Sequence, residues 1–341
     1  MSGEGERPMT RRKRTLPRGW YPGDSRECKR EIESYLEGWP ASDPVEGEGV
    51  GGIVPHAGWY FSGKLAARVL HSLKSKRKVD TVVLYGGHLG PEALPHIVTE
   101  DVWETPFGDM EIHRDFVMAL MKKMRLTKET PSGADNTVEI QLAMVKYFYP
   151  EAKLLALRSP PSSQAVKLGE EVAEIAQSEG ISIIAIGSTD LTHYGPNYGY
   201  LPKGGGPAAV KWVKGENDKG FIDRALKMDT AGLLDHAEMN GSACSAGAAA
   251  SAIATCKALG ARKGFLLDYY TSYDILPDES FVGYGGIVYS SLEVGGLRNV
   301  ISVGGEDEKS GGCGSRTWKV RSESGCFPPG ADLRGSQGMS R

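Results

Sequence analysis

The sequence predicts an α/β protein, a three-layer αβα sandwich around a mostly parallel central sheet. Short apolar strands alternate with helical segments from about residue 50 onward, a pattern typical of a parallel sheet with helices on both faces. The apolar runs at 79–85 and 181–187 have no polar face, as expected of strands buried at the centre of such a sheet. With 341 residues, 40% of them hydrophobic and 24% charged, the chain has ample material for a core.

The individual elements follow from turn and cap residues between periodic segments. Helix 25–36 places its apolar residues on one face, Pro55 ends the first strand, and Asp135 or Asn136 is a suitable N-cap for a helix that runs to Tyr149. In chain order, the predicted elements are helix 25–36, strand 50–54, helix 62–73, strand 79–85, a strand near 96–103, helix 114–124, the helix ending at 149, strand 153–158, helix 164–178, strand 181–187, a loop at 195–206, helices 218–228, 230–237 and 245–259, and strands 264–271 and 282–290.

Three parts of the chain differ in composition. Residues 1–16 are polar and charged, and residues 293–341 are rich in glycine, serine and charge, so both are predicted to be disordered tails. Residues 17–292 are expected to form a single α/β domain. The basic run from Arg11 to Arg14 is short, which is more typical of a solvated tail than of a contact with nucleic acid or membrane.

Charge, hydropathy and cysteine usage exclude several classes of function. The net charge of −3 favours no polyanionic partner, so no nucleic-acid binding is predicted. No run of 18 apolar residues exists and the N-terminus has no apolar segment, so neither a membrane span nor secretion is predicted. The five cysteines are scattered and form no CxxC motif, which indicates a reducing compartment and a cytoplasmic location.

Reactive side chains follow several strand ends and one helix start. They are His56 after strand 50–54, His88 after strand 79–85, Asp190 and His193 after strand 181–187, and Cys244 at the start of helix 245–259. Because loops after parallel strands lie on one edge of the sheet, these side chains can converge. Two imidazoles with a thiolate or carboxylate are a donor set for a transition metal, and three protein ligands leave positions open for a substrate.

Each of these residues also has an ordinary structural explanation. A single loop histidine is more often a surface residue than a ligand, Cys244 fits a small buried filler, and Asp190 fits a turn cap. What favours a site is that three separate strand–helix junctions each carry a histidine beside glycine or proline. The other four histidines have no such companions and are interpreted as structural or surface residues: His71, His96, His113 and His236.

Two alternatives to a metal site remain open at this point. Cys244 could be the nucleophile of a metal-free hydrolase, with His193 as base and Asp190 as its orienting residue, but this leaves His56 and His88 without a role. The same cleft could instead belong to a non-enzymatic module that binds a metal or a partner. Because no phosphate-binding GxxxxGK[ST] loop is present, nucleotide chemistry is disfavoured.

The segment Pro55-His56-Ala57-Gly58, with Tyr60 after it, resembles the PHAGY signature of the Memo family, whose bacterial and archaeal members are called AmmeMemoRadiSam system protein B. The resemblance covers about residues 17–292. It continues through the segments 19–22, 87–88, 105–108, 138–142 and 188–195, then Cys244 and 283–284. This ordered series is far more specific than any single motif.

The resemblance implies a fold similar to the class III extradiol dioxygenases and a site that holds iron or copper. The matching metal ligands are His56, His88 and Cys244, and the residues assigned to catalysis are Asp190, His193 and Glu139. The implied activity is redox or dioxygenase-like, on a small-molecule substrate that the sequence does not identify. A functional link to AMMECR1-type and radical SAM proteins is also implied.

The chain departs from the family pattern in three places near the expected site. Around the second ligand, Gly86-Gly87-His88-Leu89 stands where the family usually has a Ser-His or similar pair. Asn136 stands where the family usually has histidine, in the motif that ends at Glu139, and Gln141 stands at another position that is often histidine. The expected pocket is therefore poorer in imidazole than is usual for the family, although the three expected ligands are present.

Overall fold

The protein is described by a computed structural model that covers residues 8–40, 45, 47–74, 78–130 and 135–291. The predicted tail at 293–341 lies outside the described residues, as do the first seven residues of the predicted N-terminal tail. The strands are β1 (Arg11–Arg12), β2 (Glu48–Val54), β3 (Thr81–Gly86), β4 (His96–Ile97), β5 (Val102–Thr105), β6 (Gly108–Glu111), β7 (Thr127–Lys128), β8 (Lys153–Arg158), β9 (Ile183–Ser188), β10 (His193–Tyr194), β11 (Lys263–Thr271) and β12 (Phe281–Ser291).

The helices in the same part of the chain are α1 (Ser25–Tyr35), α2 (Trp59–Ser72), α3 (Arg114–Lys123), α4 (Asn136–Phe148), α5 (Ser163–Ser178), α6 (Pro207–Trp212), α7 (Asp218–Leu226), α8 (Thr230–Asn240), α9 (Ala246–Ala258) and α10 (Ser272–Ile275). A 3₁₀ turn at Pro196–Tyr198 and a π-helical turn at Val213–Asn217 complete the set. None of these helices is long and apolar enough to cross a membrane.

The large sheet has a parallel centre and antiparallel margins. Its strand order is β10-β12-β2-β9-β3-β8-β4-β7, with β11 paired to β12. The pairs β2–β9, β9–β3 and β3–β8 are parallel, whereas β12 pairs antiparallel with β2, β10 and β11. The predicted mostly parallel sheet is confirmed, and its β3 and β9 are buried at every residue, as the absence of a polar face indicated.

Two adjacent glycines in β2 show how helices cover both faces of the sheet. A Cβ atom on Gly51 would lie 2.5 Å from Cys256 Sγ in α9, and one on Gly52 would lie 3.1 Å from Val69 Cγ1 in α2. Because successive residues of a strand face opposite sides, α9 and α2 pack on opposite faces. The predicted three-layer αβα arrangement is therefore confirmed, with α1 and α4 beside α2 and with α5 beside α9.

Two sequence predictions about strands and tails are wrong in the described residues. The single strand expected near 96–103 is two strands, of which β4 joins the large sheet and β5 joins a separate three-stranded sheet with β1 and β6. Within the predicted disordered tail at 1–16, Arg11 and Arg12 form β1, which pairs parallel with β5. The tail prediction failed because a two-residue strand has no periodicity, and because the burial of Arg12 depends on acidic partners far along the chain.

Candidate metal centre

The turns that follow the central strands meet at one edge of the sheet. Val54 at the end of β2 is paired with Ser188 at the end of β9, and Tyr85 near the end of β3 is paired with Gly187. The segments that follow these three strands contain His56, His88 and Asp190. The parallel register therefore brings them to one edge, as expected of loops that follow parallel strands.

Three potential metal ligands converge at this edge. One ligand atom from each of His56, His88 and Cys244 lies within 4.8 Å of the other two. Cys244 Sγ is 3.1 Å from His56 Nε2, and the two imidazole rings are 5.3 Å apart and nearly perpendicular. His56 is buried, Cys244 is half-buried and His88 is exposed, so the group is open to solvent on the His88 side.

The backbone around His56 is held from two directions. The His56 N–H donates to Asp190 Oδ1 at 2.6 Å, and the His56 carbonyl accepts from Asn136 Nδ2 at 3.1 Å. Gln141 Nε2 donates to the Pro55 carbonyl at 2.8 Å. Asn136 and Gln141 therefore both fix the position of the His56 turn.

The imidazole of His56 has one nitrogen occupied and one directed at the cluster. Nδ1 lies 3.3 Å from Ser188 Oγ, which also accepts from Gln141 Nε2 at 3.2 Å. In the tautomer in which Nδ1 donates to Ser188 Oγ, Nε2 carries no proton and can bind a metal ion.

Cys244 is placed by hydrogen bonds to the segment after β9. Its N–H donates to the Asp190 carbonyl at 3.2 Å, and Ser245, the N-cap position of α9, donates its N–H to Thr189 Oγ1 at 3.1 Å. The start of α9 is therefore attached to the segment that carries Asp190 and His193. This attachment brings Cys244 to His56 across 188 residues of chain.

Asp190 and His193 lie beside the three ligands. Asp190 Oδ2 is 3.9 Å from His56 Nε2, and both side chains are buried. The His193 ring packs edge-on against Tyr198, with centroids 4.9 Å apart, and its Nδ1 lies 3.2 Å from the Leu191 carbonyl. Burial lowers the pKa of His193 below its ordinary value of 6.5. The nearby His56 and His88 also lower this pKa, whereas the charge of Asp190 raises it.

His88 has a carboxylate beside its ring, as His56 has Asp190, but at a shorter distance. Its Nδ1 lies 3.4 Å from Asp135 Oδ2. Burial alone would lower the pKa of His88, but its interactions with Asp135 and Cys244 outweigh burial and raise the pKa to about 9. Both histidines of the site therefore lie beside a carboxylate, and the His56 ring also contacts Ser188 Oγ.

The structure gives Glu139 partners at a different place from the cluster. Its carboxylate accepts from the N–H groups of Thr15 and Leu16 at 2.9 and 2.8 Å, from the Thr15 hydroxyl and from Tyr21 OH. These bonds attach the N-terminal segment to α4. No hydrogen bond among the described residues joins Glu139 to His56, His88 or Cys244, so its predicted catalytic role has no contact to support it.

The donor set and its spacing fit a transition-metal ion. Nitrogen and thiolate donors bind such ions at about 2.0–2.3 Å, which puts neighbouring donors about 3.5 Å apart in a tetrahedral site. The observed group, with 3.1 Å between Cys244 Sγ and His56 Nε2 and all three atoms within 4.8 Å, is close to this spacing. Three protein donors leave at least one position for a substrate, as in catalytic rather than structural sites.

Sequence reasoning did not assign a supporting role at the site to Asp135, Arg158, Ser188 or Gln141. Ser188 and Arg158 end the parallel strands β9 and β8, so the rule that located the histidines would have located them as well. Asp135 was considered only as an N-cap, a role that it also has, because it accepts from the Thr137 N–H. The interpretation of His113 and His236 as structural agrees with their bonds to Thr81 and Asn217.

The fold and the cluster together define an α/β protein with a histidine–cysteine centre able to bind metal at the carboxyl edge of its sheet. Comparison with known families is more specific. The Memo-like protein family matches residues 12–288, and the chain belongs to this family, as its motifs indicated.

Several archaeal relatives support this membership over most of their length. A MEMO1 family protein of Methanopyrus kandleri is 32% identical over 288 residues, covering 79% of this chain and 95% of the relative. A MEMO1 family protein of Nitrosopumilus maritimus is 30% identical over 288 residues, covering 82% and 99%. Among solved structures, an uncharacterized protein of Escherichia coli K12 aligns with a TM-score of 0.38 and 10% identity over 60% of this chain and 85% of its own, which is too weak to support an argument.

Proposed function

We propose that this protein is a metal-dependent redox protein that binds an iron or copper ion through His56, His88 and Cys244 and acts on a small-molecule substrate in a dioxygenase-like reaction. The observation that carries the proposal is the convergence of these three donor atoms from turns far apart in the chain. Imidazole suits both metals, and the thiolate shifts the preference toward copper. A bound ion would supply redox chemistry and an open coordination position for substrate.

The residues beside the ligands have suitable chemistry for proton transfer. His193 has a lowered pKa, so its imidazole is neutral near pH 7 and can accept a proton. Asp190 holds the His56 backbone through Oδ1, and its other oxygen faces the His56 ring. We therefore assign proton transfer to His193 and the positioning of the His56 turn to Asp190.

The proposal is tested by metal content after anaerobic purification under reducing conditions. His56→Ala and Cys244→Ser should each lower bound iron or copper at least about tenfold, because each removes one of three donors. Matched controls are His113→Ala and Cys28→Ser, whose side chains bond Thr81 and the Pro22 carbonyl instead. Equal metal content in wild type, site variants and controls would contradict the proposal.

A metal-free thiol hydrolase is the second candidate, and one observation favours it. Cys244 Sγ lies 3.1 Å from His56 Nε2, a distance that suits a nucleophile and its base. The pairing differs from the predicted one, in which His193 was the base, since His193 Nδ1 faces the Leu191 carbonyl. Alkylation of Cys244 that Fe²⁺ or Cu⁺ blocks would favour the metal centre, whereas alkylation indifferent to metal together with esterase or amidase turnover would favour the hydrolase.

The family resemblance also supports a proposal about context. We propose that the protein acts in the cytoplasm and is functionally linked to AMMECR1-type and radical SAM proteins. A non-enzymatic role, in which the centre binds a metal or a partner without turnover, would appear as metal binding that persists while no redox activity is found with any small-molecule substrate.

A further inference from the structure

Two charged residues, Asp135 and Arg158, lie beside His88, and the sequence assigned neither of them to the site. Asp135 precedes α4, and Arg158 ends β8. Their side chains are 8% and 14% exposed, whereas that of His88 is 38% exposed. Asp135 and Arg158 are therefore held within the protein, whereas the His88 imidazole is partly open to solvent and needs a partner to fix its orientation.

The two carboxylate oxygens of Asp135 have separate partners. Oδ1 caps α4 by accepting from the Thr137 N–H at 3.0 Å and from the Thr137 hydroxyl. Oδ2 lies 3.4 Å from His88 Nδ1 and 3.2 Å from Arg158 Nη2. Capping alone requires only one of these oxygens, so the second is available to orient the imidazole.

The backbone of the same turn is held in an unusual conformation. His88 has φ of +61°, a left-handed value that costs a residue with a side chain about 1 kcal/mol or more unless its surroundings maintain it. Arg158 Nε donates to the Gly87 carbonyl at 2.9 Å. A Cβ atom on Gly87 would lie 2.0 Å from Ser245 Oγ, so the backbone of this turn packs directly against the start of α9, next to Cys244.

We infer that Asp135 is a positioning residue for the metal centre, whose carboxylate binds the Nδ1–H of His88 and directs Nε2 at the ion. This rests on the proposed metal-binding function. A metal-ligating histidine is commonly oriented by a carboxylate on its other nitrogen, and loss of such a partner lowers metal affinity about 10- to 100-fold. Arg158 holds the carboxylate in place by pairing with Asp135 Oδ2 while its Nε donates to the Gly87 carbonyl.

Two substitutions at one position separate orientation from helix capping. Asp135→Asn keeps a good N-cap but removes the anion, whereas Asp135→Glu keeps the anion but caps poorly. If Asp135 orients His88, Asp135→Asn should weaken the binding of Fe²⁺ and Cu⁺ about 10- to 100-fold, and Asp135→Glu should retain more of the metal affinity. Asp24→Asn is the matched control, since Asp24 caps α1 in the same way, and it should leave metal affinity unchanged.

A second measurement needs no metal. In protein with ¹⁵N-labelled histidine, the Nδ1–H proton of His88 should exchange slowly with water in the wild type and in Asp24→Asn, and rapidly in Asp135→Asn. This proton is present on both the cationic ring and the Nδ1-protonated neutral ring, so the readout does not depend on the protonation of the other nitrogen.

The two measurements distinguish failure of this inference from failure of the proposed function. If the wild type binds neither Fe²⁺ nor Cu⁺, the proposed function fails, and the proton exchange alone decides whether Asp135 orients His88. If the wild type binds metal and Asp135→Asn changes neither affinity nor exchange, the positioning role is overturned. Loss of affinity in Asp135→Glu but not in Asp135→Asn would show that capping is the only role, which also overturns it.

Discussion

At the residue scale, Arg12 determines whether two buried carboxylates are paired. Its side chain is 2% exposed, with Nη2 at 2.7 Å from Glu129 Oε1 and Nη1 at 3.6 Å from Glu100 Oε1. The guanidinium also lies 4.4 Å from the centre of the Trp103 ring. Burial raises the pKa of Glu129, and the charge of Arg12 opposes that increase, so loss of Arg12 would leave a buried carboxylate without this counter-charge.

Arg12→Ala is therefore expected to destabilise the protein by about 3–5 kcal/mol, because it leaves buried carboxylates without their counter-charge. Arg11→Ala is the control, since Arg11 is 40% exposed and pairs at the surface with Asp109, an arrangement worth at most about 1 kcal/mol. Urea denaturation monitored by circular dichroism measures both. Equal destabilisation by the two substitutions would show that Arg12 is not a buried anchor.

Arg12 and the metal ligands show which residues a sequence can identify. His56 and His88 follow apolar strands, and the topology of a parallel sheet places such positions on one edge whatever the rest of the chain does. Arg12 stands in a run of basic residues that has the composition of a solvated tail. Its burial depends on Glu100 and Glu129, which are more than 80 residues away, and no local pattern reports such partners.

At the element scale, the glycines of β2 allow helices to pack directly on the backbone of the strand. A Cβ atom on Gly51 would lie 2.2 Å from the Ala185 carbonyl oxygen in β9 and 2.5 Å from Cys256 Sγ in α9. The carbonyl belongs to a central strand, so the clash cannot be relieved by rotating a side chain. This close approach explains why a central strand, normally rich in branched residues, has the sequence EGVGGIV.

Gly51→Ala is expected to destabilise the protein by about 1–3 kcal/mol or more, as overpacking of a dense core does. Gly90→Ala serves as the control, because a Cβ atom there meets nothing within 4 Å and its backbone does not require a positive φ. Thermal unfolding followed by circular dichroism gives the comparison. If Gly51→Ala unfolds at the wild-type temperature, β2 and α9 are less closely packed than the structure indicates.

Elements with strong periodicity could be predicted and short ones could not. Helices α1, α2, α4 and α5 begin and end within a few residues of their predicted bounds, because caps and helical spacing are local signals. The two-residue strands β1, β4, β7 and β10 were missed or merged, since they are held by pairing with distant segments and contain no pattern of their own.

At the scale of the whole molecule, the alternation of strands and helices predicted the parallel centre of the sheet but not its antiparallel margin. Strand β12 is longer and more completely buried than β11, and it pairs with β2, β10 and β11. Its direction depends on the connection through α10, a single turn, rather than on its own composition. Pairing direction is therefore a property of the assembled sheet that the residues of one strand do not specify.

A buried acid at the start of α7, Asp218, connects the margin of the sheet to the candidate site. Asp218 accepts from the Thr192 N–H at 3.0 Å, from the Thr192 hydroxyl and from Tyr269 OH at 2.7 Å. Thr192 lies between Asp190 and His193, and Tyr269 belongs to β11. Burial raises the pKa of Asp218 from its ordinary value of 3.8 to about 7, although these hydrogen bonds act in the opposite direction.

This raised pKa makes the stability of the whole fold depend on pH in a specific direction. Between pH 4 and pH 7 the unfolded chain has lost the Asp218 proton while the folded protein keeps it, so stability falls as the pH rises through this range. A pKa of about 7 instead of 3.8 corresponds to a loss of about 4 kcal/mol across the range. Asp218→Asn removes the titrating group and retains an amide of the same shape, so its unfolding free energy should decline less between pH 4 and pH 7. Urea titrations of the two proteins at a series of pH values measure the difference, and parallel pH profiles would show that Asp218 is ionised in the fold throughout this range.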